Sequence, residues 1–351
     1  TIFVGQMMGV DAIAAVSVFF PILFFLLAFV IGISAGTTVL IGQAWGAQNL
    51  EKVRSVIGST LFMTLIGGSI IAVLGWGFAE HILRLLGTDP KVMHLSLPYV
   101  RWMLVGSPLL FVYIIYTSIL RGVGDSVTPL IALSLTSLIG LAVTPVLLKG
   151  YFGFPALGIV APAVATIMGY AAVLIFLSFY LNYKNHPLKI DARLLKSIRH
   201  DSNLSKLILK LGIPTGIQMV TTSLAGLVII GLVNHYGAHA TAAYGAVNQV
   251  LNYIQFPALS ISIAASIFAA QAIGAGKPEL LAKVTRTALG MNVIFTGSLI
   301  TLAYLFSKYL MALFITDHSV IELGQQLLFI VLWSRLFFCA CALFYTNISS
   351  T

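Results

Sequence analysis

Leu40-Ile41-Gly42-Gln43-Ala44-Trp45-Gly46-Ala47-Gln48 has a counterpart further along the chain, Ala269-Ala270-Gln271-Ala272-Ile273-Gly274-Ala275-Gly276. An offset of 228 residues takes Gln43 to Gln271. Without a gap it also takes Gly9 to Gly237, Ala12 to Ala240, and Ala14-Ala15 to Ala242-Ala243. Glu51 falls on Glu279 and Thr88-Asp89 on Thr316-Asp317. One short match in an alanine-rich chain means little. A register held from Gly9 to Asp317 implies a duplicated unit.

The composition says where such a unit lives. The 351 residues are 59% hydrophobic and 8% charged, against about 25% charged in soluble domains; mean hydropathy is +1.02. The class is an all-α polytopic membrane protein. The net charge of +9 sits in loops, as topology requires, and does not read as nucleic-acid binding. Cys339 and Cys341 are two residues apart, so on a helix they point about 200° apart and cannot bond to each other. No cleavable signal peptide or targeting tail is visible.

A spanning helix needs about 20 apolar residues. Nine such stretches are expected, near 12–39, 53–78, 94–120, 127–148, 157–182, 207–234, 240–270, 283–306 and 320–346. Residues 1–8 read as the stub of a further helix. Gly, Pro and Asp mark the turns at Gly87-Thr88-Asp89-Pro90, Arg121-Gly122-Val123-Gly124-Asp125 and Gly274-Ala275-Gly276-Lys277-Pro278. Residues 183–206 form one long polar linker between an N-terminal lobe, 1–182, and a C-terminal lobe, 207–351. Thirteen of the 19 Lys and Arg residues, from Lys52 and Arg54 to Lys283 and Arg286, fall on the linker's side. Only Arg84, Lys91, Lys149 and Lys308 fall in loops opposite. This asymmetry makes the linker cytoplasmic. Carried through the repeat, the register predicts about 21 residues before Thr1 and about 58, two helices, after Thr351. The expected whole has two six-helix repeats in one orientation, related by a pseudo-twofold along the membrane normal; a fragment of it would not transport.

Several of these stretches resemble the multidrug and toxic compound extrusion (MATE) family. They are Gly42–Gln48, Leu120-Arg121-Gly122-Val123-Gly124-Asp125-Ser126-Val127-Thr128-Pro129, Gly153–Thr166, Leu211-Gly212-Ile213-Pro214 and Gln271–Gly276. The resemblance implies two six-helix bundles around a central cavity. It further implies efflux of amphipathic, mainly cationic small molecules in exchange for H⁺ or Na⁺, with no other cofactor. The expected setting is a monomer in a bacterial inner (plasma) membrane, its partners being substrates and the bilayer.

Ion coupling normally calls for an acid inside the membrane. The ten acids all fall in predicted loops or at helix ends. Where one branch of the family has Asn and Asp four apart, this chain has Gly140 and Thr144. Another branch has Glu at the position of Thr222 and Asp near that of Phe338. Many members carry Asp just before the position of Thr1. The coupling acid is therefore expected before Thr1; coupling through hydroxyls, amides and carbonyls, Thr144 among them, is the other reading.

Mid-span polar residues concentrate in the second half. Asn248, Asn252 and Gln255 share one face of the helix predicted over 240–270, with Gln249 and Tyr253 beside it. Gln218, Thr221 and Thr222 share a face of the preceding helix. Amides in hydrocarbon need partners, so these faces line a substrate cavity or glue helices together. The offset matches Asn248, Asn252 and Gln255 with Phe20, Phe24 and Leu27. Phe20 and Phe24 can attract organic cations, or face lipid. Arg335 would bind an anionic group, pair with an acid or snorkel. Pro21, Pro108, Pro145, Pro162, Pro214 and Pro257 lie where a helix could bend. His235 and His239 bracket a turn and either sense pH or are solvated. No metal-ligand spacing, nucleophile elbow or phosphate loop appears. A lipid-linked precursor flippase is the alternative function, and would want a basic cavity; a membrane transferase would need clustered acids or histidines.

Overall fold

A computed structural model describes residues 4, 7–153, 155–189, 194, 197–198, 201–312 and 320–333. Among them every regular element is helical. Seven helices are long and apolar enough to cross a membrane, and a bent pair makes an eighth. The ninth expected span is represented by Val320–Trp333; Arg335, Phe338, Cys339 and Cys341 lie outside the described residues. The chain divides into two units, Thr1–Val220 and Thr221–Thr351.

The first unit holds α1 (Val10–Ser17), α2 (Phe19–Gly46), α3 (Leu50–Leu85), α4 (Pro90–Val105), α5 (Ser107–Gly122), α6 (Val127–Lys149) and α7 (Ala161–Tyr183). Single 3₁₀ turns, Tyr151–Gly153 and Gly158–Val160, separate α6 from α7. The expected span 94–120 is the bent pair. α4 and α5 meet at 47°, where Pro108 has no N–H to give the helix. The bend is packed in place. The Ser107 hydroxyl donates to the Gly68 carbonyl of α3 (3.1 Å), and a Cβ on Gly68 would press on Pro108. α2 and α3 both pack on α5, α6 packs along α7, and α1 lies against α4. The shared core includes Phe111, Tyr116, Ile41, Ile57 and Leu177.

α8 (Ser202–Asn234) runs from the first unit into the second. Its opening turns are capped by Asp201, whose Oδ1 accepts from the N–H groups of Asn203 and Leu204 (2.9 and 3.1 Å). It crosses α2 backbone to backbone. A Cβ on Gly212 would strike the Gly32 carbonyl, and one on Gly36 would strike the Ile208 carbonyl. Gly32-x-x-x-Gly36 on one helix thus meets Gly212-x-x-x-Gly216 on the other, the small-residue spacing that lets membrane helices touch closely.

The linker is not a free polar tether. Leu188 and Leu194 are 2% and 3% exposed and belong to the first unit's core. The Tyr116 hydroxyl donates to the Leu188 carbonyl (2.8 Å), and a Cβ on Gly58 of α3 would strike the Ser197 carbonyl. Its leucines and isoleucines are outnumbered by polar and charged residues, so composition alone reads the stretch as polar.

The second unit contains the remainder of α8, α9 (Ala238–Gly274), α10 (Glu279–Leu305), α11 (Ser307–Ala312) and α12 (Val320–Trp333). α9 packs along α10 through Ala246, Val247, Val250 and Ile254, with Ile300 and Ala303 in the same cluster.

Two turns related by the offset close alike. After α2, the N–H groups of Ala47, Gln48 and Asn49 donate to the carbonyls of Gln43, Trp45 and Ala44. After α9, those of Ala275, Gly276 and Lys277 donate to Gln271, Ile273 and Ala272. The left-handed position is Gln48 (φ 56°) in one and Gly276 (φ 68°) in the other. Gly9 and Gly237 precede α1 and α9 with φ of 86° and 93°.

Candidate functional site

The polar residues of α9 stand on the side of the helix away from its packed face. Asn252, Gln255, Gln249 and Tyr253 are exposed and Asn248 is half-buried, while Ala243, Ala246, Val247, Val250 and Ile254 are buried. The face opposite the packed alanines and valines thus carries amides and a phenol. Gln249 Nε2 reaches Tyr253 Oη at 3.4 Å. On α8, Gln218 and Thr222 are one turn apart and both exposed. Pro214 and Pro257 lie inside α8 and α9, so each polar face belongs to a helix with an interrupted ladder.

On α2 the aromatic run splits. Phe19 turns into the core and meets the Tyr99 ring edge-on (centroids 5.9 Å). Phe20 and Phe24 are exposed, with Phe25 beside them. α1 and α2 are divided at Val18, three residues before Pro21.

Thr144 is half-buried and gives its proton to the Gly140 carbonyl (2.6 Å), which leaves its oxygen lone pairs open to a donor or cation. The eight described acids lie in caps or terminal turns. Asp89 caps α4, accepting from Lys91 N–H (2.8 Å). Asp125 Oδ1 accepts from Val127 and Thr128. Glu80, in the last two turns of α3, pairs with Arg84. Each cap satisfies N–H groups that the first turn leaves unbonded.

Sequence reasoning missed a polar set inside the first unit. Ser34 on α2 donates to Ser118 on α5 (2.6 Å), and Arg121 Nη2 donates to the same oxygen (2.7 Å). Ser118 passes its own proton to the Ile114 carbonyl (2.8 Å). Thr37 on α2 and Thr60 on α3 are 3.2 Å apart. Thr37 and Thr60 also donate to the carbonyls of Ile33 and Val56. Ser and Thr four residues from a carbonyl in a helix are self-satisfied, so single hydroxyls among alanines and glycines do not stand out in a sequence. Their contact across helices does. Arg121, at the end of α5, bonds the same buried serine from one turn along its own helix.

Arg101 packs its guanidinium over Trp76 (5.4 Å) and donates to that residue's carbonyl. His235 and His239 are exposed, and His235 Nδ1 lies 2.9 Å from the Gly231 carbonyl. Among the described residues no group of three His, Cys, Asp or Glu could hold a metal.

Comparison with known proteins places this arrangement. The MatE family model matches residues 1–146 and 214–351. The chain is 46% identical over 335 residues to "Probable multidrug resistance protein YoeA" of Bacillus subtilis, covering 95% of this chain and 72% of that one. It is 29% identical to a protein named "FAD transporter" of Shewanella oneidensis, covering 92% and 70%. A solved structure described as MATE in the bent conformation has the same fold, with a TM-score of 0.84 at 22% identity over 98% of this chain and 76% of that chain. On these matches, the chain belongs to the MatE family, as its loop and repeat motifs implied.

Proposed function

We propose that this protein is a secondary-active multidrug exporter. It carries amphipathic, cationic organic compounds outward in exchange for H⁺ or Na⁺ by alternating access. The single observation that carries the reading is the family match, joined to a relative at 46% identity that bears a multidrug resistance name. The exposed amides of α9 and α8 and the exposed Phe20 and Phe24 supply the two chemistries an amphipathic cation needs, hydrogen bonding and an aromatic face. Gln218, Thr222, Asn248, Asn252, Tyr253 and Gln255 are the polar contacts of this reading. Two six-helix repeats, parallel in the membrane, are supported by the identical closures after α2 and α9. The linker lies on the cytoplasmic side of a bacterial inner membrane, by the Lys and Arg asymmetry.

The test is uptake of a fluorescent organic cation into everted vesicles of cells expressing the gene, where outward export becomes accumulation, under an imposed Na⁺ gradient and separately under a proton gradient. Transport driven by one gradient supports the antiporter and names its ion. Transport under neither, with folded protein, sinks it. The 29% identical relative named a FAD transporter gives a second substrate class. Uptake of a flavin dinucleotide into the same vesicles would favour that class, for which Arg335 is the residue to change.

A further inference from the structure

The stretch after α7, Lys184–Lys189, is fastened to the first unit at four points. His186 N–H donates to the Leu181 carbonyl (2.9 Å). The Leu188 carbonyl accepts from the buried Tyr116 hydroxyl (2.8 Å). The Leu188 side chain is 2% exposed. His186 Nε2 lies 3.9 Å from Asp125 Oδ2, in the turn between α5 and α6. One bond decides the chemistry: the Leu188 N–H donates to His186 Nδ1 (3.2 Å). That nitrogen can accept only while it carries no proton.

We propose that Lys184–Lys189 is a latch on the connection between α7 and α8, released when His186 takes up a proton. Protonating Nδ1 puts two donors face to face and breaks the bond that positions Leu188. The charged groups near the ring pull both ways. Asp125 favours the cation. Lys184 opposes it from the segment itself, and its own ammonium is held over the Tyr180 ring of α7 (4.8 Å). Tyr116, from α5, holds the segment at the Leu188 carbonyl. Lys189 turns away to Asn185 (3.5 Å). Burial is the largest influence, and the balance lowers the imidazole below its ordinary 6.5. The sign follows. The released segment binds a proton more readily than the docked one, so docking is strongest above the ordinary value and weakens as pH falls through it. This goes beyond the export reading and holds whatever the substrate is.

The measurement is hydrogen–deuterium exchange in lipid nanodiscs, expressed as protection corrected for the intrinsic rate at each pH. It follows the amides of His186, Leu188 and Lys189 between about pH 7.5 and about 5.5, the range in which a histidine titrates. Protection should fall on acidification, by up to about tenfold for each pH unit separating the docked and released pKa values. His186→Gln keeps an acceptor and cannot titrate, so its protection should be flat. Tyr116→Phe should lower protection at every pH. A flat wild type, an equal fall in His186→Gln, or protection that rises with acid because Asp125 wins would each overturn the proposal. So would Tyr116→Phe with wild-type protection, since the segment would then not be held as described.

Discussion

Single atoms decide the sharpest expectations. Gly212 has the Gly32 carbonyl where its Cβ would be, whereas Gly140, also inside a helix, has nothing within 4 Å of that position. Gly212→Ala should destabilise the protein by about 1–3 kcal/mol through overpacking. Gly140→Ala should stabilise it by about 0.5–1 kcal/mol through helix propensity. Thermal unfolding in one detergent reads both, and shifts of the same sign would refute the packing argument. Asn252 gives the functional counterpart. If its amide lines the site, Asn252→Leu should impair efflux at unchanged expression; wild-type efflux would remove α9 from the site. The amides of α9 were legible in the sequence as a spacing; the glycine crossing of α2 and α8 was not. The bond between Ser34 and Ser118 was not, because a hydroxyl that can satisfy itself on its own helix gives no sign of a partner 84 residues away.

At the scale of helices, most spans were legible because about 20 apolar residues in a row have few other uses. What blurred were ends and bends. α3 and α9 run several residues past the apolar stretches that announced them, since polar residues within reach of a helix cap continue the ladder at little cost. The bend at Gly106 was hidden inside one apolar run, with Pro108 the only hint. The docking of the linker was not legible, because two buried leucines among lysines carry little weight in an average. Helix caps give a clean test. Asp201 holds two N–H groups at the start of α8, so Asp201→Ala should cost about 1 kcal/mol. Asp201→Asn keeps an acceptor and should lose much less. Equal losses in thermal melts would show that charge, not the cap bond, was the asset.

For the molecule as a whole, the repeat predicts sidedness. Gln48 and Lys277 are exposed and occupy neighbouring places in turns that close alike. Single cysteines at these two positions, with Cys339 and Cys341 changed to Ser, should react with an impermeant maleimide from the same face of the membrane. Labelling from opposite faces would refute parallel repeats and with them the even helix count. The offset that relates the two turns could be read without coordinates because turn residues keep their spacing when the side chains between them drift. How α8 passes α2 could not, since nothing in a sequence says which two glycine pairs will touch. That crossing bears on inheritance. Every single-base change that alters the meaning of a glycine codon either adds at least a Cβ or stops translation, so no amino acid one base away from Gly32 or Gly212 leaves that place empty. Variants that survive drug selection should therefore be crowded elsewhere, on the exposed faces of α8 and α9, and absent where these two main chains meet.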